Sequence, residues 1–238
     1  RSALSEKIFA FREGVAYRRT SGQLVGRRAL ATSNLAELVP SPDVPCQAVI
    51  LGTSTGGPEA LKCVLPKLPG DLGVPMLVVQ HMPPQYTLSL AKRLNDICEL
   101  EVVEACDGME AVAGRIIIAA GGKQLKLERS ATSLLVRVNQ DLPENGVRPA
   151  VDYLLRSAMD VLQGQLLAVI MTGMGRDGLV ACRHLKQIGG YVFAQNQDDC
   201  VVYGMPKAVI DEGLADRTLP LGKIAPAIVR HLKRSRQS

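Results

Sequence analysis

Three short turns in this 238-residue chain hold the residue types that serine-based hydrolysis requires. The first is Gly52-Thr53-Ser54-Thr55-Gly56-Gly57, with the spacing Gly-x-Ser-x-Gly. Glycines there let a strand turn sharply into a helix and leave Ser54 exposed at the turn. The unpaired N–H groups of the new helix's first turn point toward an incoming oxyanion. A plain Gly-rich turn satisfies the same pattern, and so does a phosphate cradle, which uses the same N–H groups. The spacing is neither GxGxxG nor a P-loop, and no Lys stands at the required position. The second turn is Gln80-His81-Met82-Pro83-Pro84, where His81 directly follows an apolar run. Of the other two histidines, His184 lies in a helical pattern and His231 in a basic tail. His81 is therefore the one placed to act as base; its alternative is a half-buried ring packed beside two prolines. The third turn is Thr172-Gly173-Met174-Gly175-Arg176-Asp177-Gly178. A carboxylate at Asp177 can hold an imidazole in the tautomer that accepts a serine proton. It can instead cap the helix that follows, a common role for Asp.

The elements that must position these turns are legible as a pattern. QAVIL (47–51), VPMLVVQ (74–80), LEVVEA (100–105), RIIIA (115–119), QLLAVIM (165–171) and GYVFA (190–194) read as buried strands. Helical patterns run from Pro58 to about Leu68, near 86–96, over the segment opened by Pro149, after the third turn to about Ile188, from Pro206 through 213, and over 222–234. QLKLE (124–128) and LLVRV (134–138) alternate with period two and predict an antiparallel hairpin. Strands alternating with helices predict an α/β, doubly wound, mostly parallel sheet with helices on both faces, plus that small hairpin. Chemistry in such folds sits at the carboxyl ends of the strands. All three turns fall there, in the chain order Ser, His, Asp. The α/β-hydrolase order is Ser, Asp, His, so the chain is not a standard member of that group.

Composition narrows the class. Hydrophobic residues form 47 % of the chain, enough for a sizeable core, so global disorder is not expected. No apolar run approaches the ~18–20 residues that span a bilayer, and no secretory signal pattern is present. The net charge of +5 gathers at the two ends: residues 1–45 carry +3, residues 223–238 carry +5, and the middle −3. With aromatics at 3 % and no Trp, nucleic-acid binding is not expected, and the basic ends read as solvated surface or linker. None of the six cysteines forms a CxxC pair, which points to reduced, buried thiols in a cytoplasm rather than a disulfide framework or a zinc site. Residues 5–20 read as a helix, and the Pro-rich stretch 39–45 as a linker into a domain starting at about Cys46. The chain begins at Arg1 rather than Met, which suggests a fragment or a processed product.

The blocks GTSTGGPEAL, VVQHMPP, RPAVD (148–152), MTGMGRDG and CVVYGMPKAVI (200–210), in that order and spacing, resemble the catalytic domain of the chemotaxis-type protein-glutamate methylesterases. The resemblance runs from about residue 46 to about 233. It implies a cytoplasmic esterase, without metal or cofactor, that hydrolyses glutamate methyl esters on the helical signalling domains of bacterial chemoreceptors. Some family members also deamidate receptor glutamines. The family triad falls on Ser54, His81 and Asp177. Thr55 and Met174 match positions lining the family's active site, with backbone N–H groups suited to an oxyanion, and Gly56 adjoins them. Arg148 matches a position near the active-site face, although a surface Arg ahead of Pro149 reads equally well. Residues 1–45 then resemble the end of an amino-terminal receiver domain plus its linker, with 46–238 the catalytic domain. The chain departs from the family at Ala120, Gln124 and Val147, where a Pro and two His are usual; these positions bear on substrate choice. Three other readings share the pattern: a catalytically silent module binding receptor or kinase, a nucleotide-binding domain using the 52–57 loop, and an esterase for another ester.

Overall fold

The computed structural model describes residues 45–236. The expected helix at 5–20, the assignment of 1–45 to a receiver remnant, and all of the linker except Pro45 lie outside them. Seven parallel strands form one sheet: β1 (Ala48–Thr53), β2 (Met76–Gln80), β3 (Glu101–Glu104), β4 (Arg115–Ile118), β7 (Leu166–Ile170), β8 (Tyr191–Gln195) and β9 (Arg217–Leu219). β5 (Gln124–Arg129) and β6 (Leu134–Asn139) pair antiparallel in a separate hairpin, as the period-two alternation predicts. The helices are α1 (Gly57–Val64), α2 (Pro84–Asn95), α3 (Val151–Leu162), α4 (Leu179–Gln187), α5 (Met205–Asp211) and α6 (Leu221–Ser235).

The strand order is β3-β4-β2-β1-β7-β8-β9. From β1 the chain adds β2, then β3 at the far edge with β4 filling the place between them, and returns to β1's other edge with β7 to build the opposite way. That reversal opens a crevice between the carboxyl ends of β1 and β7, the position where open α/β sheets bind ligands. β1, β2 and β7 are buried at every residue, which is why they read as unbroken apolar runs rather than alternating ones. Alternate β1 residues feed two cores. Val49 and Leu51 pack with α1, α2 and α6. Ala48 and Ile50 pack with α3, α4, α5 and the hairpin's Leu125, Leu127 and Val136.

One helix end and one additional strand depart from the sequence pattern for local reasons, besides shifts of one or two residues at other ends. α1 stops at Val64 and tightens into a 3₁₀ turn over Leu65–Lys67. Pro66 has no N–H to continue the α-helical ladder, so the longer helix to Leu68 does not form. β9 is an additional edge strand of three residues, two of them exposed, so no apolar run marks it. Of the six cysteines, all unpaired, Cys46 and Cys182 are buried; Cys106 is exposed, against the expectation of buried thiols.

Candidate active site

The crevice is assembled from turns that each leave a buried strand. β1 ends at Thr53, and its last pairs in register are Thr53 with Gln80 on β2 and Gly52 with Ile170 on β7. Ser54 follows, its N–H donating to Thr172 O at 3.0 Å. Gly56 adopts φ +81°, a left-handed conformation that a residue with a Cβ tolerates poorly, and caps α1. Gly57 N–H then donates to Ser54 O at 2.9 Å. Among the described residues, the amides of Thr55, Gly56 and Met174 donate to no acceptor. Gly173 lets the third turn close on the first: a Cβ there would lie 2.7 Å from Ser54 Cβ. The segment 201–205 lines the same wall. Val202 O accepts from Gly173 N at 3.0 Å, and the Thr172 hydroxyl donates to Thr55 O at 2.9 Å.

His81 leaves β2 one residue past the sheet, its N–H donating to Thr53 O at 3.1 Å. Its Nε2 lies 2.8 Å from Asp177 Oδ2, and both side chains are largely buried. Asp177 accepts four hydrogen bonds. Oδ2 takes His81 Nε2 and the N–H of Val151 at 2.6 Å; Oδ1 takes the N–H of Asp152 at 3.1 Å and Asn145 Nδ2 at 2.8 Å. Burial alone raises a carboxyl's pKa, but the bonds from His81, Val151 and Asp152 outweigh it and hold Asp177 below the usual range. An ionised Asp177 keeps the proton on Nε2, so the lone pair sits on Nδ1. The nitrogen free to act as base is thus Nδ1, the reverse of the serine-protease arrangement.

Asp177 does cap a helix, but not the one that follows it. Val151 and Asp152 open α3, so Asp177 caps α3, while Asp152 Oδ1 caps α4 by accepting from Ala181 N at 2.7 Å. Each helix's cap comes from the other helix's chain segment. Asn145 Nδ2 joins the two carboxylates, donating to Asp152 Oδ2 and Asp177 Oδ1, both at 2.8 Å. Burial raises the Asp152 pKa, opposed by the bonds from Ala181 and Asn145.

The structure therefore brings Ser54, His81 and Asp177 to one crevice, with Thr55 and Gly56 on its α1 side. Met174 is on the rim, 74 % exposed. Arg148 stands apart from these contacts. Its Nη1 donates to the carbonyls of Gln140 and Asp141, both at 3.1 Å, bracing the loop that carries Asn145. Sequence reasoning missed Gln80, Asn145, Asp152 and Thr172. Gln80 had a visible signal: a polar side chain closing an apolar strand must find partners if it is buried.

A doubly wound sheet with an acid–histidine pair and a glycine-flanked serine at the switch point defines a hydrolase-like α/β domain. Residues 49–228 match the family model described as CheB methylesterase, and the chain belongs to that family. A protein-glutamate methylesterase/protein-glutamine glutaminase of Desulfotalea psychrophila is 50 % identical over 189 residues, covering 79 % of this chain and 52 % of the relative. One from Thermotoga maritima is 42 % identical over 191 residues, covering 80 % and 56 %. The chain thus spans about half the length of these curated relatives. The crystal structure of the Thermotoga maritima CheB methylesterase catalytic domain superposes with a TM-score of 0.76 at 43 % identity, covering 79 % of this chain and 99 % of that one.

Proposed function

We propose that this chain is the catalytic domain, from about residue 46, of a cytoplasmic protein-glutamate methylesterase acting on methylated chemoreceptor signalling helices. The observation that carries the reading is the 2.8 Å bond between His81 Nε2 and a four-times-bonded Asp177, one sheet position from Ser54. Ser54 Oγ attacks the ester carbonyl while His81 Nδ1 takes its proton. Asp177 stabilises the imidazolium so formed. The unpaired amides of Thr55, Gly56 and Met174 suit the oxyanion of the tetrahedral intermediate. Collapse breaks the ester C–O bond, and His81 returns the proton to the departing methanol. Water then hydrolyses the acyl-serine, with His81 again as base, leaving glutamate. The same steps on a glutamine side chain release ammonia. The names of the relatives, which pair methylesterase with glutaminase, support both activities.

The test is incubation with receptor carrying radiolabelled methyl esters, counting volatile methanol. The parent is expected to release label, and Ser54→Ala to lose on the order of 10⁶ in rate, as nucleophile removal does in serine hydrolases. A Ser54→Ala variant that keeps a tenth of the activity removes Ser54 as nucleophile. Release by neither protein, with no labelling of the parent by a serine-directed phosphonate, favours a silent binding module.

A further inference from the structure

Ser54 and His81 both stand just beyond the ladder that aligns their strands. The last β1–β2 register pair is Thr53 with Gln80, and after it the two turns diverge toward different helices. One buried side chain ties them together. Gln80 is 2 % exposed, and its Nε2 donates to Ser54 O and to His81 O, both at 3.0 Å. Its Oε1 accepts from the Thr53 hydroxyl. The amide orientation follows from these partners: a flip would aim Oε1 at two carbonyl oxygens. The space is specific as well, because a Cβ on Gly57 would lie 1.8 Å from Gln80 Oε1.

We propose that Gln80 is a positioning residue for ester hydrolysis, its carboxamide coupling the backbone of the nucleophile Ser54 to that of the base His81. The inference rests on the esterase reading above. Gln80 touches no substrate; it sets how hydroxyl and imidazole approach one another. Displacement of a reacting group by about 1 Å costs on the order of a hundredfold in rate. No other side chain of that size makes all three bonds. An ionised Glu lacks the donors, and Met lacks both donors and acceptor.

The experiment measures kcat and KM for methyl-ester hydrolysis by the full chain and by Gln80→Met, Gln80→Glu and Gly57→Ala, with the rate of phosphonate labelling at Ser54. Gln80→Met is expected to lower kcat and the labelling rate by about 30- to 100-fold, with KM within about threefold. Gly57→Ala, which pushes on the amide without removing it, is expected to move in the same direction. In Gln80→Glu the introduced carboxyl faces the Ser54 and His81 carbonyls, with His81 and, through it, Asp177 as its titratable neighbours. Its deficit relative to the parent should deepen as pH rises and the group ionises, whereas the Gln80→Met deficit stays constant with pH. Thermal midpoints at the same pH values keep loss of folding apart from loss of positioning, since only the latter lowers kcat in protein that stays folded. Should Gln80→Met fail to fold, the Gln80→Glu protein assayed at two pH values decides by the same criterion. The coupling is overturned if the soluble Gln80 variants keep kcat within threefold of the parent, or if the Gln80→Glu deficit does not change with pH. If the parent neither hydrolyses the ester nor labels at Ser54, the esterase reading fails first and takes the coupling with it.

Discussion

Two histidines at opposite ends of the sheet, His81 and His231, stand in surroundings built on opposite principles. At the carboxyl ends, His81 meets a buried carboxylate, and amides and glycine turns surround it. At the amino end of β8, a cleft of about 370 Å³ lies between α6 and the strand edge, lined by Tyr191, Phe193, Arg217, Arg230, His231 and Arg234. There the imidazole of His231 sits edge-on to Tyr191, with ring centroids 4.4 Å apart. Burial lowers its pKa; Asp216 opposes this, and Arg234 and Arg217 reinforce it. At one site the imidazole faces a carboxylate held by four donors, and at the other burial and two arginines disfavour its positive charge. The difference teaches that a sizeable cleft and a buried acid–histidine pair arise in different parts of the fold. A desolvated carboxylate beside a histidine persists only with enough donors.

The widest separation should appear in activity. Asp177→Asn is expected to cost about 10⁴ in ester hydrolysis, because an amide no longer enforces the tautomer with Nδ1 free. His231→Gln should stay within about twofold, the scatter expected of a residue remote from the site. Comparable losses in a side-by-side assay would break the contrast between the two ends.

A smaller effect concerns acid stability. The Asp177 pKa is depressed in the folded state, so its contribution is present above its unfolded value of about 3.9 and is lost as pH falls through the folded value. Urea midpoints taken from pH 5 downward should fall in the parent. In Asp177→Asn that part of the slope should vanish, on a lower plateau because the α3 cap is weakened. An unchanged slope would mean that Asp177 is not the carboxylate being protonated.

The smallest effect sharpens the comparison from the other end. His231 has a lowered folded pKa, so the unfolded chain takes up a proton that the folded chain refuses. Its contribution is present above about 6.5 and is lost as pH falls from there toward the folded value. His231→Gln should flatten the stability profile in that window, which lies above the Asp177 window. Thermal midpoints from pH 7.5 to 5.5 read the difference directly; parallel curves for the two proteins would contradict it.

Much of this was legible in the amino-acid sequence because it is local. Unbroken apolar runs marked β1, β2 and β7, and alternation marked the hairpin, since burial on two faces or one leaves those patterns directly. The three turns stood out because Ser, His and Asp each follow a buried strand beside Gly or Pro; taken singly, each had another use, as a plain turn, a packed ring or a helix cap. Other features required the fold. β9 is too short and too exposed to carry a pattern. That Asp177 caps α3 while Asp152 caps α4 depends on two helices meeting across 25 to 29 positions of chain. That Gln80 joins Ser54 to His81 depends on β1 and β2 lying side by side in register. That Nδ1 rather than Nε2 is left free depends on Asp177 arriving from 96 residues away. Local spacing determines which backbone conformations are cheap, and so which residues stand at the turns. Which of their atoms meet is decided by the order of the strands, because a hydrogen bond forms only within about 3 Å and in the right direction.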